Sequence, residues 1–213
     1  MTNCIYKTVL AICLSTAFFS CSKEDNPVVV VQPLAAVTVK DIAADPTSTT
    51  SATGQQPVAA TGRFTLYNLK DNKQVANTDS ATNKWDVGFR GTTIIVNGGA
   101  IRSGQGGAYV YTGTFDELTA VPASTTFSQD QSATALAITT GSGKGWYNYN
   151  QATNIVSPIP GKVFVIRTGD GKYAKMEILS YYQSAPTAPD ANSVARYYTF
   201  RYLYQPDGSQ TFK

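Results

Sequence analysis

Beyond residue 62, apolar side chains recur mainly at every second position, the period of strands with one buried face. Phe64 and Leu66 alternate with Thr65 and Tyr67. Lys84 to Phe89 and Thr92 to Val96 read as two short strands split by Gly91, and Ala108 to Thr114 alternates through Tyr109 and Tyr111. Lys162 to Arg167 is β-branched and apolar. Lys172 to Tyr182 puts Ala174, Met176 and Ile178 on one face, and Tyr173, Lys175, Glu177, Leu179 and Tyr181 on the other. Tyr197 to Tyr204 is a further strand, and Leu34 to Ala43 alternates well enough for a first one. Turns punctuate the runs at Asp71-Asn72, Asn97-Gly98-Gly99, Asp170-Gly171 and Asp207-Gly208, the last leading to a short strand that ends near Phe212. Asp170-Gly171 suits a type I′ hairpin, since both residues tolerate positive φ.

No segment repeats apolar residues at i, i+3, i+4 and i+7. A single helical turn is expected at Phe115 to Leu118, with Thr114 as its cap and Asp116-Glu117 favouring its N-terminus. Short strands with Gly-rich turns predict an all-β chain, mainly an antiparallel sandwich or open barrel with at most short helical turns. Residues 45–61 are rich in Thr, Ser, Ala and Gly and read as a loop.

The N-terminus breaks the pattern. Lys7 precedes a short apolar run, Thr8 to Phe19, of signal-peptide length, and Ser20-Cys21 follows. A small residue directly before Cys resembles the lipobox of bacterial lipoproteins, where cleavage leaves an acylated Cys at the new N-terminus. Residues 1–20 therefore read as a lipoprotein signal peptide, Cys21 as the acylated (palmitate-bearing) residue, residues 21–33 as a lipidated tether, and residues 34–213 as one β domain. Cys4 and Cys13 leave with the leader, so the mature chain has no intramolecular disulfide. Ser22-Lys23-Glu24-Asp25 resembles the surface-export signal of Bacteroidota lipoproteins. It predicts outer-membrane anchoring with outward display, periplasmic retention being the alternative.

Composition mainly excludes. The net charge of +3 is spread over a chain with only 15% charged residues, which argues against nucleic acid as a partner. The chain has no His, so a Ser-His-Asp triad, a Cys-His dyad and an H-E-x-x-H zinc site are impossible. The glycines of Gly98-Gly99 to Gly104-Gln105-Gly106-Gly107 and of Gly141 to Gly145 lack the Lys-Ser/Thr and following helix of a nucleotide loop. Sparse carboxylates give no glycosidase pair. The reading is a binding protein, not an enzyme.

Several segments, in order, resemble the HmuY family of haem-binding surface lipoproteins of Bacteroidota. They are Trp85-Asp86-Val87-Gly88-Phe89-Arg90 running into Thr92 to Gly99, then Ser103 to Ala108, then Gly145-Trp146-Tyr147-Asn148-Tyr149. Pro158 to Thr168, Asp170 to Met176, Tyr197 to Tyr202 and Gln205-Pro206-Asp207-Gly208 complete the set. The resemblance implies a HmuY-type β domain over residues 34–213. It also implies capture of haem outside the cell for iron acquisition, and transfer to a TonB-dependent outer-membrane receptor. Its characterised members hold iron between two axial side chains from loops, His pairs in some and Met pairs in others. This chain departs there. Its mature part has one Met, Met176, and Thr153-Asn154 stands where a His beside the Thr fits the family pattern.

The expected pocket for haem or a related tetrapyrrole lies between loops 97–107 and 120–160. Its candidate walls are Tyr109, Tyr111, Trp146, Tyr147, Tyr149, Asn154 and Met176. A Tyr phenolate or Met176 is the candidate iron ligand, and Arg90, Arg102 and Lys144 are candidate partners for the propionates. Each has a plainer reading: Met176 as core filling on an apolar strand face, the tyrosines as core aromatics, Trp146 as a plug over the sheet end. Two chains each donating Met176 would make a homo-oligomeric site. The rival function is a structural, adhesive or glycan-binding surface lipoprotein that kept the fold without haem.

Overall fold

Alternating strands with one apolar face bury it by packing sheet on sheet, and the chain does this with two antiparallel sheets of unequal size. The computed structural model describes residues 34–45 and 60–213. The leader, Cys21, the tether and most of the 45–61 loop lie outside them. The strands are β1 (Val37–Ala43), β2 (Thr65–Asn68), β3 (Lys73–Val75), β4 (Val87–Arg90), β5 (Thr93–Val96) and β6 (Gly107–Thr112). They continue with β7 (Tyr147–Asn150), β8 (Ile155–Pro158), β9 (Lys162–Arg167), β10 (Tyr173–Tyr182) and β11 (Ala195–Gln205). The large sheet runs β1-β11-β10-β9-β6, the small one β3-β2-β4-β5, and β7-β8 is a separate two-stranded ribbon.

The main core lies between the two sheets. Tyr67, Val87, Phe89, Ile94 and Val96 of the small sheet meet Phe164, Ile166, Met176, Tyr198, Phe200 and Tyr202 of the large one. Phe89 stacks on Phe200 at 5.3 Å, and Tyr67 meets Phe200 edge-on at 5.5 Å, so aromatic pairs bridge the layers. The architecture is the sandwich of the two alternatives expected.

The opposite face of the large sheet is covered by the chain itself. Phe115, Leu118, Val121 and Phe212 close over Val163, Val165 and Leu203. Lys175 points into this second core, where its ammonium donates to the carbonyls of Phe115 (2.6 Å) and Leu118 (2.9 Å).

Four local expectations are corrected. Residues 115–117 form a turn, not a helix, although Thr114 and Glu117 exchange the reciprocal bonds of a capping box. In the β9–β10 hairpin only Gly171 has positive φ (84°), and Gly171 N donates to Thr168 O. The loop is thus a three-residue turn with a left-handed Gly, not type I′. In β10, register shifts between Ile178 and Tyr182 rotate the strand, so Tyr181 joins Tyr182 in the main core. The last short strand reduces to a bridge between Ala120 and Thr211.

Candidate functional site

The aromatic run after Gly145, expected to be a pocket loop, is the root of the β7-β8 ribbon. Trp146 and Tyr147 are buried in the main core. Trp146 lies 4.9 Å from Tyr147, 5.8 Å from Tyr181 and 5.1 Å from Tyr198, and its indole N–H donates to Thr92 O at 2.9 Å. Tyr198 donates to Gly91 O at 2.9 Å, and burial pushes its phenol well above the ordinary value. This cluster bolts the ribbon onto the sandwich and leaves no ring free to stack on a ligand.

Other candidates are also set apart. Met176 is fully buried, paired across the sheet with Phe164 and Tyr202, and fills core space. Tyr109 and Tyr111 pack on the far face of the large sheet, against the second core. The loop 97–107 is tied at its base around Asn97, while Gly99 to Gln105 border two cavities with residues 129–140. The side-chain amide of Asn97 donates to Thr82 O (2.9 Å) and Trp85 O (2.8 Å), and its oxygen accepts from Gly104 N (3.1 Å). A β-carbon on Gly98 would sit 1.9 Å from Gly106 O, so the glycines serve close backbone packing.

The candidate Asn154 lies at the tip of the ribbon. The β7–β8 turn carries Asn154 at φ 58°, a left-handed position that Asn tolerates. Asn150 Oδ1 accepts from Ala152 N (2.9 Å) and Thr153 N (3.3 Å), and the half-exposed Tyr149 donates to Asn154 Oδ1 at 2.5 Å. Opposite stands the loop between β10 and β11. It is braced by Gln183 N to Val194 O, and by Ser184 N to Asp41 Oδ1 at 2.7 Å. Between the two lies an open cleft of about 660 Å³, bordered by Asn150, Ala152, Thr153, Asn154, Ile155 and Ser157 on one side and by Pro189, Asp190 and Ala191 on the other. The residues Pro189 to Ala191 carry no signal in the sequence, because no motif marks a loop that acts only by facing another.

Of the candidate residues only Asn154 lines this cleft, with Tyr149 bonded behind it. None of the three candidate propionate partners does. Arg90 and Arg102 border a different cavity, and Lys144 belongs to neither. The one charged group of the cleft is Asp190. Hydrogen bonds from Asn192 N and Ser193 Oγ hold its carboxyl below the usual range.

The donors decide what the cleft fits. Its volume lies inside the usual range for ligand pockets, and Ile155, Pro189, Ala152 and Ala191 give apolar walls for a flat ring. It offers no imidazole or thioether to iron, so it does not fit a bis-axial haem site. Among the described residues no three Asp, Glu or Cys side chains converge as a metal-holding group.

The family model described as the HmuY protein matches residues 61–202. Among solved structures, one from Bacteroides vulgatus ATCC 8482, provisionally described as an HmuY-like haem-binding protein, is 19% identical. It aligns over 79% of this chain and 91% of its own, with a TM-score of 0.49. A provisionally described lipoprotein from Bacteroides fragilis NCTC 9343 is 17% identical, over 80% and 90%, with a TM-score of 0.47. The apo HmuY analogue of Tannerella forsythia is 17% identical, over 81% and 96%, with a TM-score of 0.45. No curated protein matches the chain.

Proposed function

The chain belongs to the HmuY family, and from that premise we propose that it is a lipid-anchored outer-membrane protein that captures a tetrapyrrole at the ribbon cleft. The observation that carries this reading is the family match over residues 61–202, which spans the ribbon and reaches the loop facing it. Haem is the expected ligand, for iron acquisition and transfer to an outer-membrane receptor. Cys21 is the anchor, placing the binding domain at the cell surface.

Without an axial pair, the ring is held by packing. A tetrapyrrole that buries about 400 Å² of apolar surface gains roughly 10 kcal/mol. Lost translational and rotational freedom offsets at least about 4 kcal/mol of that. The remainder corresponds to a dissociation constant on the order of tens of micromolar at best. Iron then adds little, and the metal-free ring is expected to bind about as well as the metallated one.

The test is a parallel titration of purified protein with ferric haemin and with protoporphyrin, read by absorbance and by quenching of Trp85 and Trp146. Comparable binding of both supports capture by packing. Selective haemin binding with a high-spin, phenolate-type spectrum points to Tyr149 as ligand instead. Binding of neither removes the function from the fold.

A further inference from the structure

We infer that the outer face of the small sheet carries a second site, for a small organic carboxylate with an apolar body. Along β4 and β5, Val87, Phe89, Ile94 and Val96 face the core, so Arg90, Thr93 and Ile95 face outward. There they border a cavity of about 350 Å³ with Phe64, Leu136, Ile101, Arg102, Thr134 and Thr140. Its floor is apolar: Phe64 and Leu136 pack on the small cluster of Leu66, Trp85 and Ile95. Ile101 stands 42% exposed at the wall.

Two arginines, Arg90 and Arg102, line this cavity. Arg90 lies 4.2 Å above the Phe64 ring and donates to Gly62 O at 2.8 Å, which fixes its head in place. Among the described residues no carboxylate pairs with it. Arg102 is held by the buried Asp130, at 3.4 Å from Nε to Oδ2, yet among the described residues that buried Nε completes no hydrogen bond. One of the two positive charges is thus balanced and the other is not. Two planar forks at the edge of an apolar floor suit a carboxylate head above a hydrocarbon body. The basin by Asn68 sets three lysines among three aspartates, and the ribbon cleft has no cation. The cavity that Arg90 borders with Arg196 holds Asp45 and lacks an aliphatic floor, and the one by Arg167 is lined mainly by Gly and Gln. This site shares no residue with the ribbon cleft, so it stands or falls independently of tetrapyrrole binding.

Methyl-resolved NMR of the purified protein tests it, with octanoate as probe and octanol as its uncharged match. Octanoate should shift the methyl groups of Ile95, Ile101 and Leu136 saturably, and octanol should not. Arg90→Gln, which removes the unbalanced charge from an exposed position, should weaken octanoate about tenfold or more. Thr134→Glu, which sets a carboxylate on the exposed loop wall, should do the same without touching the core. Equal response to octanol, or unchanged octanoate affinity in both variants, overturns the proposal. Haemin competing for the same methyl groups overturns it too, because the arginines would then serve propionates and not a second ligand.

Discussion

Asp86 is a buried carboxylate that forms no ion pair among the described residues. Its oxygens accept from Leu69 N (2.7 Å) and Gly169 N (2.9 Å), tying the end of β2 to the β9–β10 turn. Burial, with smaller contributions from Asp170 and Asp71, outweighs those bonds and raises its pKa to about 6. The folded state therefore holds a proton that the unfolded chain has released between about pH 4 and pH 6. Stability should fall as pH rises through that window, by up to roughly 3 kcal/mol, because each tenfold difference in proton affinity between the two states is worth about 1.4 kcal/mol. Asp130, raised by its own burial, adds to the same slope. Urea midpoints measured from pH 4 to pH 7 should show the decline. Asp86→Asn should flatten it while costing about 1–3 kcal/mol, since its amide nitrogen faces one of the two N–H donors. An unchanged slope in that variant refutes the assignment. Asn154 carries the matching functional prediction. It borders the cleft, and its left-handed backbone is one that His also tolerates. Asn154→His should therefore strengthen haemin binding at least about tenfold and leave protoporphyrin unchanged. Equal gains for both ligands would show that the lack of an axial donor is not what limits iron recognition here.

At the scale of elements, glycines that look alike in the sequence differ in physics. Gly91 has φ 53° with open space around its missing side chain, so Gly91→Ala should cost about 1 kcal/mol from backbone strain. Gly98 faces a backbone carbonyl at 1.9 Å, so Gly98→Ala must displace the loop wrapped on Asn97. It should cost roughly 3 kcal/mol or more, or prevent folding. Thermal midpoints of the two variants separate strain from collision; similar losses would contradict the packing described. The same contrast explains what was legible in the sequence. The β-branched apolar run of β9 and the alternation in Lys172 to Tyr182 predict those strands, whereas the exposed polar positions 148–150 give β7 no such signal. Trp146 and Tyr147 read as binding aromatics because an aromatic run in a Gly-rich neighbourhood looks exposed. Their burial depends on Tyr181 and Tyr198, which arrive from β10 and β11. Asn154 is marked by its place in the family pattern. The loop at Pro189 to Ala191 becomes visible only when the chain folds it opposite that residue.

For the whole molecule, the proposed anchor at Cys21 would set how far the domain can stray from a membrane. A cleft that binds as weakly as proposed above would gain most from being held where its ligand passes. The 13 chain steps from Cys21 to Leu34 reach at most about 45 Å when fully extended. A surface-anchored domain would therefore stay close to an outer-membrane receptor. Acyl chains on the proposed anchor Cys21 would supply the holding energy at about 0.8 kcal/mol per buried methylene, and one chain alone would give only reversible attachment. Among the described residues no helix is long and apolar enough to take over that role. Cys21→Ser should then abolish palmitate incorporation and move the protein from the membrane to the soluble fraction. The thermal midpoint should be unaltered, because the substitution leaves both cores of residues 34–213 as they are. Continued labelling would shift acylation to Cys4 or Cys13. A soluble but destabilised variant would mean that the N-terminal segment packs on the domain, and so does more than hold it in place.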